Sequence, residues 1–297
     1  RKFKNAKICI LALVYITFIG SMLIANDMAL LTFLPLGYFV LHKTDNKQAM
    51  AFTFIMQNIA ANLGGMLTPF GNPQNLYLYT KFNIPNLEFI RIMAPDFILS
   101  VTLITLCCLF IKPEPLELKD ETVHLSHSKA TIYLSLFALA IAIVFRGIPY
   151  FTGLIIIPTV LFFIDKKALK DVDYPLLLTF VFFFIFAGNM ARIGIIKDFF
   201  GFLMEKSTLL FSIFSCQIIS NVPSAILLSQ FTSDYPHLLV GVNIGGVGTL
   251  ISSLASLITF REYIKHNPGK VAKYILQFSA LNFGFLIVLT AFSIAIG

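Results

Sequence analysis

Charge is scarce in this chain: only 12% of its 297 residues are Asp, Glu, Lys or Arg. Soluble domains carry roughly 25%, so an ordinary soluble globule is excluded. The net charge of +7 does not point to nucleic acid, because the Lys and Arg sit in short loops between apolar runs. Cysteine is equally thin. Cys9, Cys107, Cys108 and Cys216 all fall inside apolar segments, without metal-ligand spacing or a disulfide framework, and read as small buried hydrophobes. No phosphate-binding loop for ATP is found. A His-Glu-x-x-His element, a Ser/Lys dyad and an intramembrane Asp pair are missing as well, so neither an embedded enzyme nor a resident cofactor is expected. The chain opens on Arg1 with no cleavable signal and is expected to be N-terminally incomplete.

What the chain has in abundance is apolar length. Hydrophobic residues make up 57%, with 32 Phe, and the mean hydropathy is +0.84. The runs approach the ~20 residues a bilayer-crossing helix needs, and the alternation of an outer-membrane barrel is absent. An all-α polytopic membrane protein is expected, in the cell (plasma or inner) membrane.

Basic loops set the orientation. Arg1, Lys2, Lys4 and Lys7 lie inside, as do His42, Lys43 and Lys47, so residues 8–41 leave and return to one side with Asn26 and Asp27 at the tip. This is read as a re-entrant hairpin. A helix broken around Gly64 to Pro73 follows over 49–80, then a polar interfacial stretch at 81–91 and a crossing at 92–111. Residues 1–111 form the first half and 112–129 a linker. The second half, 130–297, has crossings at 130–145, 149–164 and 174–191, a hairpin at 208–231, a broken helix at 237–260 and a last crossing at 274–296. The second hairpin is entered from outside, so the halves are inverted. A complete repeat implies roughly 70–80 further residues upstream.

The halves also repeat in sequence. Asn62-Leu63-Gly64-Gly65-Met66-Leu67-Thr68 returns 181 positions later (243 − 62) as Asn243-Ile244-Gly245-Gly246-Val247-Gly248-Thr249. Lipid tolerates such helix breaks only where they are buried or line a cavity, and matched breaks in two halves mark a site near the midplane. Inverted repeats within one chain favour alternating access over a channel.

At these residues the chain resembles the ion transporter superfamily of arsenite permeases, citrate permeases, sodium/proton antiporters and divalent anion:sodium symporters. The resemblance rests on Ala25-Asn26-Asp27 with Pro35, on Asn62 to Asn75, on Ser220-Asn221-Val222-Pro223 and on Asn243 to Ser256. It implies an elevator-type fold whose scaffold dimerises, and an ion-coupled permease for a small anion, either a carboxylate or an arsenite-type oxyanion. A sodium/proton antiporter is the alternative. A separate ATPase subunit, found with some arsenite permeases, is a further expected partner. In the divalent anion symporters both tips carry Ser-Asn-Thr; the Asn26-Asp27 tip is more similar to the arsenite permease and antiporter side.

The candidate site gathers Asn26, Asp27, Asn62, Gly65, Thr68, Gly71, Asn72, Ser220, Asn221, Asn243, Gly246, Thr249 and Ser252. Asn offers donor and acceptor without charge, helix starts favour anions, and free carbonyls suit cations. A sodium site is expected near Asn26, Asp27 and Asn221. Asp27 is the sharpest residue, since a carboxylate at membrane depth costs about 2.5–3.5 kcal/mol on the insertion scale. Desolvation opposes its charged form, which suits a group that loads a proton or, when ionised, sodium. Its counterpart is Val222, so the site is expected to be lopsided. The other reading of Asp27 is a cap for an arm starting at Met28. Gln57, Asn58, Gln217 and Asn282 are read as interhelical hydrogen-bonding groups, and Arg192 as an interfacial anchor.

Overall fold

A computed structural model describes residues 5–43, 47–111, 127–172 and 174–297. The described residues are helical and contain no strand. They fall into two compact units, one built from Arg1–Lys119 and Phe184–Gly297, the other from Asp120–Phe183. Among the described residues, four helical stretches are long and apolar enough to cross a membrane: Lys7–Ile24, Asn86–Leu109, Gly194–Ile219 and Pro268–Ile296. Their outward faces carry Ile16, Ile19, Leu106, Phe214 and Ile287, all exposed. Water would penalise such a surface, whereas lipid accepts it.

The larger unit opens with α1 (Ala6–Ile24) and α2 (Asn26–Lys43), joined by Ala25 alone. α3 (Met50–Gly64) follows, then a 3-10 turn at Gly65–Leu67, α4 (Pro73–Lys81) and α5 (Asn86–Leu109). α3 is buried almost throughout, including its polar Thr53, Gln57, Asn58 and Asn62, and packs against α1, α2 and α5. The smaller unit holds α6 (His127–Val144), α7 (Tyr150–Ile164), α8 (Lys166–Lys170) and the start of α9 (Tyr174–Met190). Within it Gly153 brings α7 against Ile143 of α6, and Tyr133 Oη donates to Asp165 Oδ2 at 2.7 Å. The larger unit resumes with α10 (Gly194–Ile219) and α11 (Asn221–Leu228), joined by Ser220. α12 (Tyr235–Ile244), α13 (Leu254–His266) and α14 (Val271–Ile296) complete it.

Three boundaries differ from the sequence reading. The stretch 81–91 is not wholly an interfacial segment, because α5 begins at Asn86, directly after Pro85. Proline blocks a helix from running on into Pro85 but leaves one free to start after it, and Leu87, Phe89 and Ile90 extend the apolar run. The helix ahead of the second tip starts at Gly194, and its backbone breaks at Ser207 (φ −168, ψ 101). There Ser207 Oγ accepts from Leu210 N at 3.2 Å, a side-chain cap that restarts the helix where the arm was expected. Asp27 does not cap an arm from Met28: α2 already begins at Asn26, whose Oδ1 accepts from Asp27 N at 2.8 Å. Of the expected linker, residues 112–126 lie outside the described residues, and α6 starts at His127.

The repeat has a packing counterpart. A Cβ on Gly64 would lie 2.4 Å from the Phe18 carbonyl oxygen and 2.6 Å from Ser21 Oγ on α1. One on Gly245 would lie 2.8 Å from Cys216 Cβ and Sγ on α10. Ser21 and Cys216 are 195 positions apart (216 − 21), the same separation as Asn26 and Asn221. Each break thus packs by a glycine on the arm leading to its own tip.

Overpacking such a contact costs about 1–3 kcal/mol. Gly64→Val and Gly245→Val are therefore expected to lower the thermal unfolding temperature in detergent sharply. Gly284→Ala, where nothing lies within 4 Å of the added carbon, is expected to leave it unchanged or slightly raised. Equal effects in all three would contradict the close approach.

Candidate functional site

Each helix pair turns through one residue with a backbone that L-amino acids rarely adopt. Ala25 has φ 65, ψ 150, and Ser220 has φ 73, ψ 158. This region is almost glycine-only and costs about 1–3 kcal/mol for other residues, so neighbouring contacts must hold it. Asn26 N donates to the Gly71 carbonyl at 2.9 Å, and Asn221 N donates to the Ser252 carbonyl at 2.9 Å. Gly71 and Ser252 are 181 positions apart, the offset of the repeated breaks. Each Asn side chain then accepts from the next backbone N–H, Asp27 N at 2.8 Å and Val222 N at 2.9 Å.

The breaks hold the tips a second time through threonine. Thr68 Oγ1 donates to the Met22 carbonyl at 2.8 Å, and Thr249 Oγ1 to the Gln217 carbonyl at 3.1 Å. Met22 and Gln217 are again 195 apart (217 − 22). Gln217 Oε1 also accepts from Thr249 N at 2.9 Å. The two threonine hydroxyls of the predicted set therefore use their only proton on the helix ends. Ser220 Oγ lies 3.3 Å from the Ser252 carbonyl, while Ser252 Oγ lies 2.9 Å from that of Gly246.

Asparagine amides join the two repeats. Asn62 Nδ2 donates one turn back to the Asn58 carbonyl at 3.1 Å, and Asn243 Nδ2 to that of Leu239 at 2.8 Å. Asn62 Oδ1 accepts from Asn26 Nδ2 at 3.3 Å. Asn72 Nδ2 bridges the halves, donating to the Asn62 carbonyl at 3.1 Å and to Asn243 Oδ1 at 3.0 Å. A Cβ on Gly246 would lie 3.0 Å from Asn221 Nδ2 and 3.5 Å from Asn62 Oδ1, so the two half-sites meet there. Gly65 and Gly71 approach each other so closely that a Cβ on Gly71 would lie 2.3 Å from the Gly65 carbonyl oxygen. The predicted residues are thus gathered in one network.

Four residues of this network were absent from the predicted set. Gln74 Nε2 reaches Asn243 Oδ1 at 3.4 Å, and Asn75 Oδ1 accepts from Asn243 Nδ2 at 2.6 Å. Asn58 Nδ2 lies 3.3 Å from Ser256 Oγ. The signal was available for Asn58, one helical turn before Asn62 and on the same face, and for Gln74 and Asn75 beside Asn72. Gln57, by contrast, ties α3 to α1 and α2 through Thr17 Oγ1 and the Phe33 carbonyl, both at 3.0 Å, as an interhelical group should.

The electrostatics come from backbone more than from side chains. Helices α2, α4, α11 and α13 all begin at this network, at Asn26, Pro73, Asn221 and Leu254, and each presents a partial positive charge. Among the described residues no group of three or more His, Cys, Asp or Glu could hold a metal. Among the described residues, the buried acceptors without a donor include Asp27 Oδ1, Asn72 Oδ1 and Gln74 Oε1 at this network. Buried polar atoms are normally satisfied, so these oxygens are suited to a hard cation or a donor-bearing ligand. The tips differ one residue beyond Asp27 and Val222, where Met28 has an N–H and Pro223 has none.

A family model described as citrate transporter matches residues 1–238. An uncharacterized transporter of Methanocaldococcus jannaschii is 35% identical over 293 residues, covering 98% of this chain and 80% of that protein. The inner membrane protein YbiR of Escherichia coli is 29% identical over 268 residues, covering 88% of this chain and 71% of its own length.

Glycine at either tip removes the strain at a smaller entropic cost of about 0.5–1 kcal/mol. Ala25→Gly and Ser220→Gly are each expected to raise stability by up to about 1 kcal/mol, read as a higher unfolding temperature. A fall in both variants would show that the tips are unstrained.

Proposed function

Because the chain belongs to the citrate transporter family, and is accordingly a membrane transporter, we propose that it is an ion-coupled secondary permease for a small carboxylate of the citrate or dicarboxylate type. An arsenite-type oxyanion is the other small ligand that this permease reading admits. In this reading each helix pair is a re-entrant hairpin. The paired tips form the binding site, and the larger unit travels as an elevator against a dimeric scaffold in the cell membrane.

The observation that carries the proposal is the convergence of four helix starts on a neutral asparagine network. A carboxylate entering that network meets oriented N–H groups and amides instead of fixed cations. Four partial charges hold an anion without trapping it, as turnover requires. An unpaired Lys or Arg would have to be desolvated in every cycle that returned empty.

Coupling falls to Asp27. Its Oδ1 is enclosed and has no donor, so a proton or a sodium ion satisfies it. That feature also favours the second reading, a sodium/proton antiporter in which Asp27 binds the cation and no organic anion moves.

Reconstituted vesicles decide between the two. Uptake of labelled citrate, a dicarboxylate or arsenite driven by a proton or sodium gradient is expected, falling at least about tenfold in Asn26→Ala and Asn221→Ala if each loses roughly 1.4 kcal/mol or more of binding. With proton coupling, uptake rises as external pH falls, and Asp27→Asn flattens that dependence. Sodium-dependent proton release with no anion present, and no anion uptake, would replace the permease by the antiporter.

A further inference from the structure

One carboxyl group of the larger unit lies deep in an apolar helix and outside the tip network. Asp96 sits inside α5, next to Pro95, and is 1% exposed. Its side chain meets α14, where Ser293 Oγ lies 2.7 Å from Asp96 Oδ1. Ser293 Oγ also lies 3.0 Å from the Leu289 carbonyl oxygen one turn back. A serine hydroxyl has one proton and can serve one acceptor at a time, but its oxygen can accept as well.

That geometry has two complete states. With Asp96 protonated, its O–H donates to Ser293 Oγ, and the Ser293 O–H donates to the Leu289 carbonyl. With the Asp96 O–H bond broken and the proton passed to water, the Ser293 O–H turns to Asp96 Oδ1. The Leu289 carbonyl keeps its place in the helix ladder in either case. We infer that Asp96 is a second proton-binding site of this transporter, separate from Asp27, with Ser293 as the hydroxyl that switches between the two states.

The titratable groups on the elements packed against α5 are few, and His237 lies near the end of α14 beyond Ser293. α3 contributes no titratable side chain. From α1 come Lys7 and Cys9, near the helix start, and Tyr15, which bonds Thr105 at 2.5 Å. From α12 come Tyr235, bonded to Glu88 of α5 at 2.5 Å, and His237, bonded to Asp234 at 2.9 Å. On α14 itself, Lys273 and Tyr274 lie near the opposite end, roughly 30 Å along the helix from Ser293 at 1.5 Å per residue. On α5, Arg91 lies five residues before Asp96 and Cys107 and Cys108 about three turns beyond it. No Lys, Arg or His forms an ion pair with Asp96 among the described residues.

Infrared difference spectra of the full chain in lipid, stepped through pH, test this directly. A carboxylic-acid carbonyl band is expected that fades as pH rises and is missing from Asp96→Asn. It should move to higher frequency in Ser293→Ala, where the hydrogen bond is lost, and Asp27→Asn should leave it in place. A wild-type titration identical to that of Asp96→Asn would overturn the inference, as would a band that never titrates. If Asp96→Asn does not fold, Ser293→Ala carries the test, and an unshifted band there counts against it. The coupling role rests on the permease reading, but the spectra do not. Wild-type vesicles without anion uptake would end that reading and leave the infrared result to stand or fall by itself.

Discussion

A peptide N–H held at membrane depth has no water to turn to, and an unmet one costs several kcal/mol. The bonds from Asn26 N to the Gly71 carbonyl and from Asn221 N to the Ser252 carbonyl answer that constraint at the two places where a helix stops and another starts through a single residue. Much of the site follows from them. For Gly71 to present its oxygen, the loop after α3 must fold back on Gly65 at a distance no side chain permits. For the tips to reach those oxygens, Ala25 and Ser220 must adopt a strained backbone. The threonine bonds from Thr68 and Thr249 then hold the helix ends on which that strain rests.

The strain is set against a layer of amides. Asn26 and Asn221 use Oδ1 on the next backbone N–H, which leaves Nδ2 directed into the site. Asn72, donating to both Asn62 and Asn243, makes the two breaks one structure. A ligand that displaced one of these bonds would therefore be felt in both repeats, giving the site a physical means of reporting occupancy across the molecule.

The repeated Asn-Gly-Gly-Thr breaks were legible because they keep one spacing, whereas Asn58, Gln74, Asn75 and Ser256 of the network lie outside the set read from it. The packing of tips on breaks was not legible, because the tips keep a different spacing. Ser21 answers Cys216, Met22 answers Gln217 and Ala25 answers Ser220 at 195 positions, whereas the breaks match at 181. The 14-residue difference (195 − 181) lies between tip and break, where α2 runs 18 residues and α11 only 8. Ser207 is a second case. The apolar run from 208 was legible, while the break at Ser207 and the helix before it, Gly194 onward, were not, since Lys197, Asp198, Glu205 and Lys206 dilute its apolar pattern. The start of α5 was obscured in the same way by Glu88 and Arg91. The positive φ at Ala25 and Ser220 left no mark in the sequence at all, because glycine, which would have announced it, is absent from both.

The unequal halves bear on mechanism. A pseudo-symmetric pair of tips would hold a ligand equally from either side and give no reason for coupling to one ion. Here the first tip has a carboxylate and an N–H at Asp27 and Met28, where the second has Val222 and the N–H-free Pro223. The first arm is also the longer one and is tied to α3 where Gln57 donates to the Phe33 carbonyl. The second arm, ending at Leu228, is shorter, and Asn221 and Ser224 to Leu228 are buried in it. On the permease reading, a protonation event at the first tip is passed to the second through what the two share across Gly246. On that reading, coupling needs no charged group on the second side, only the Asn72 amide shared between Asn62 and Asn243.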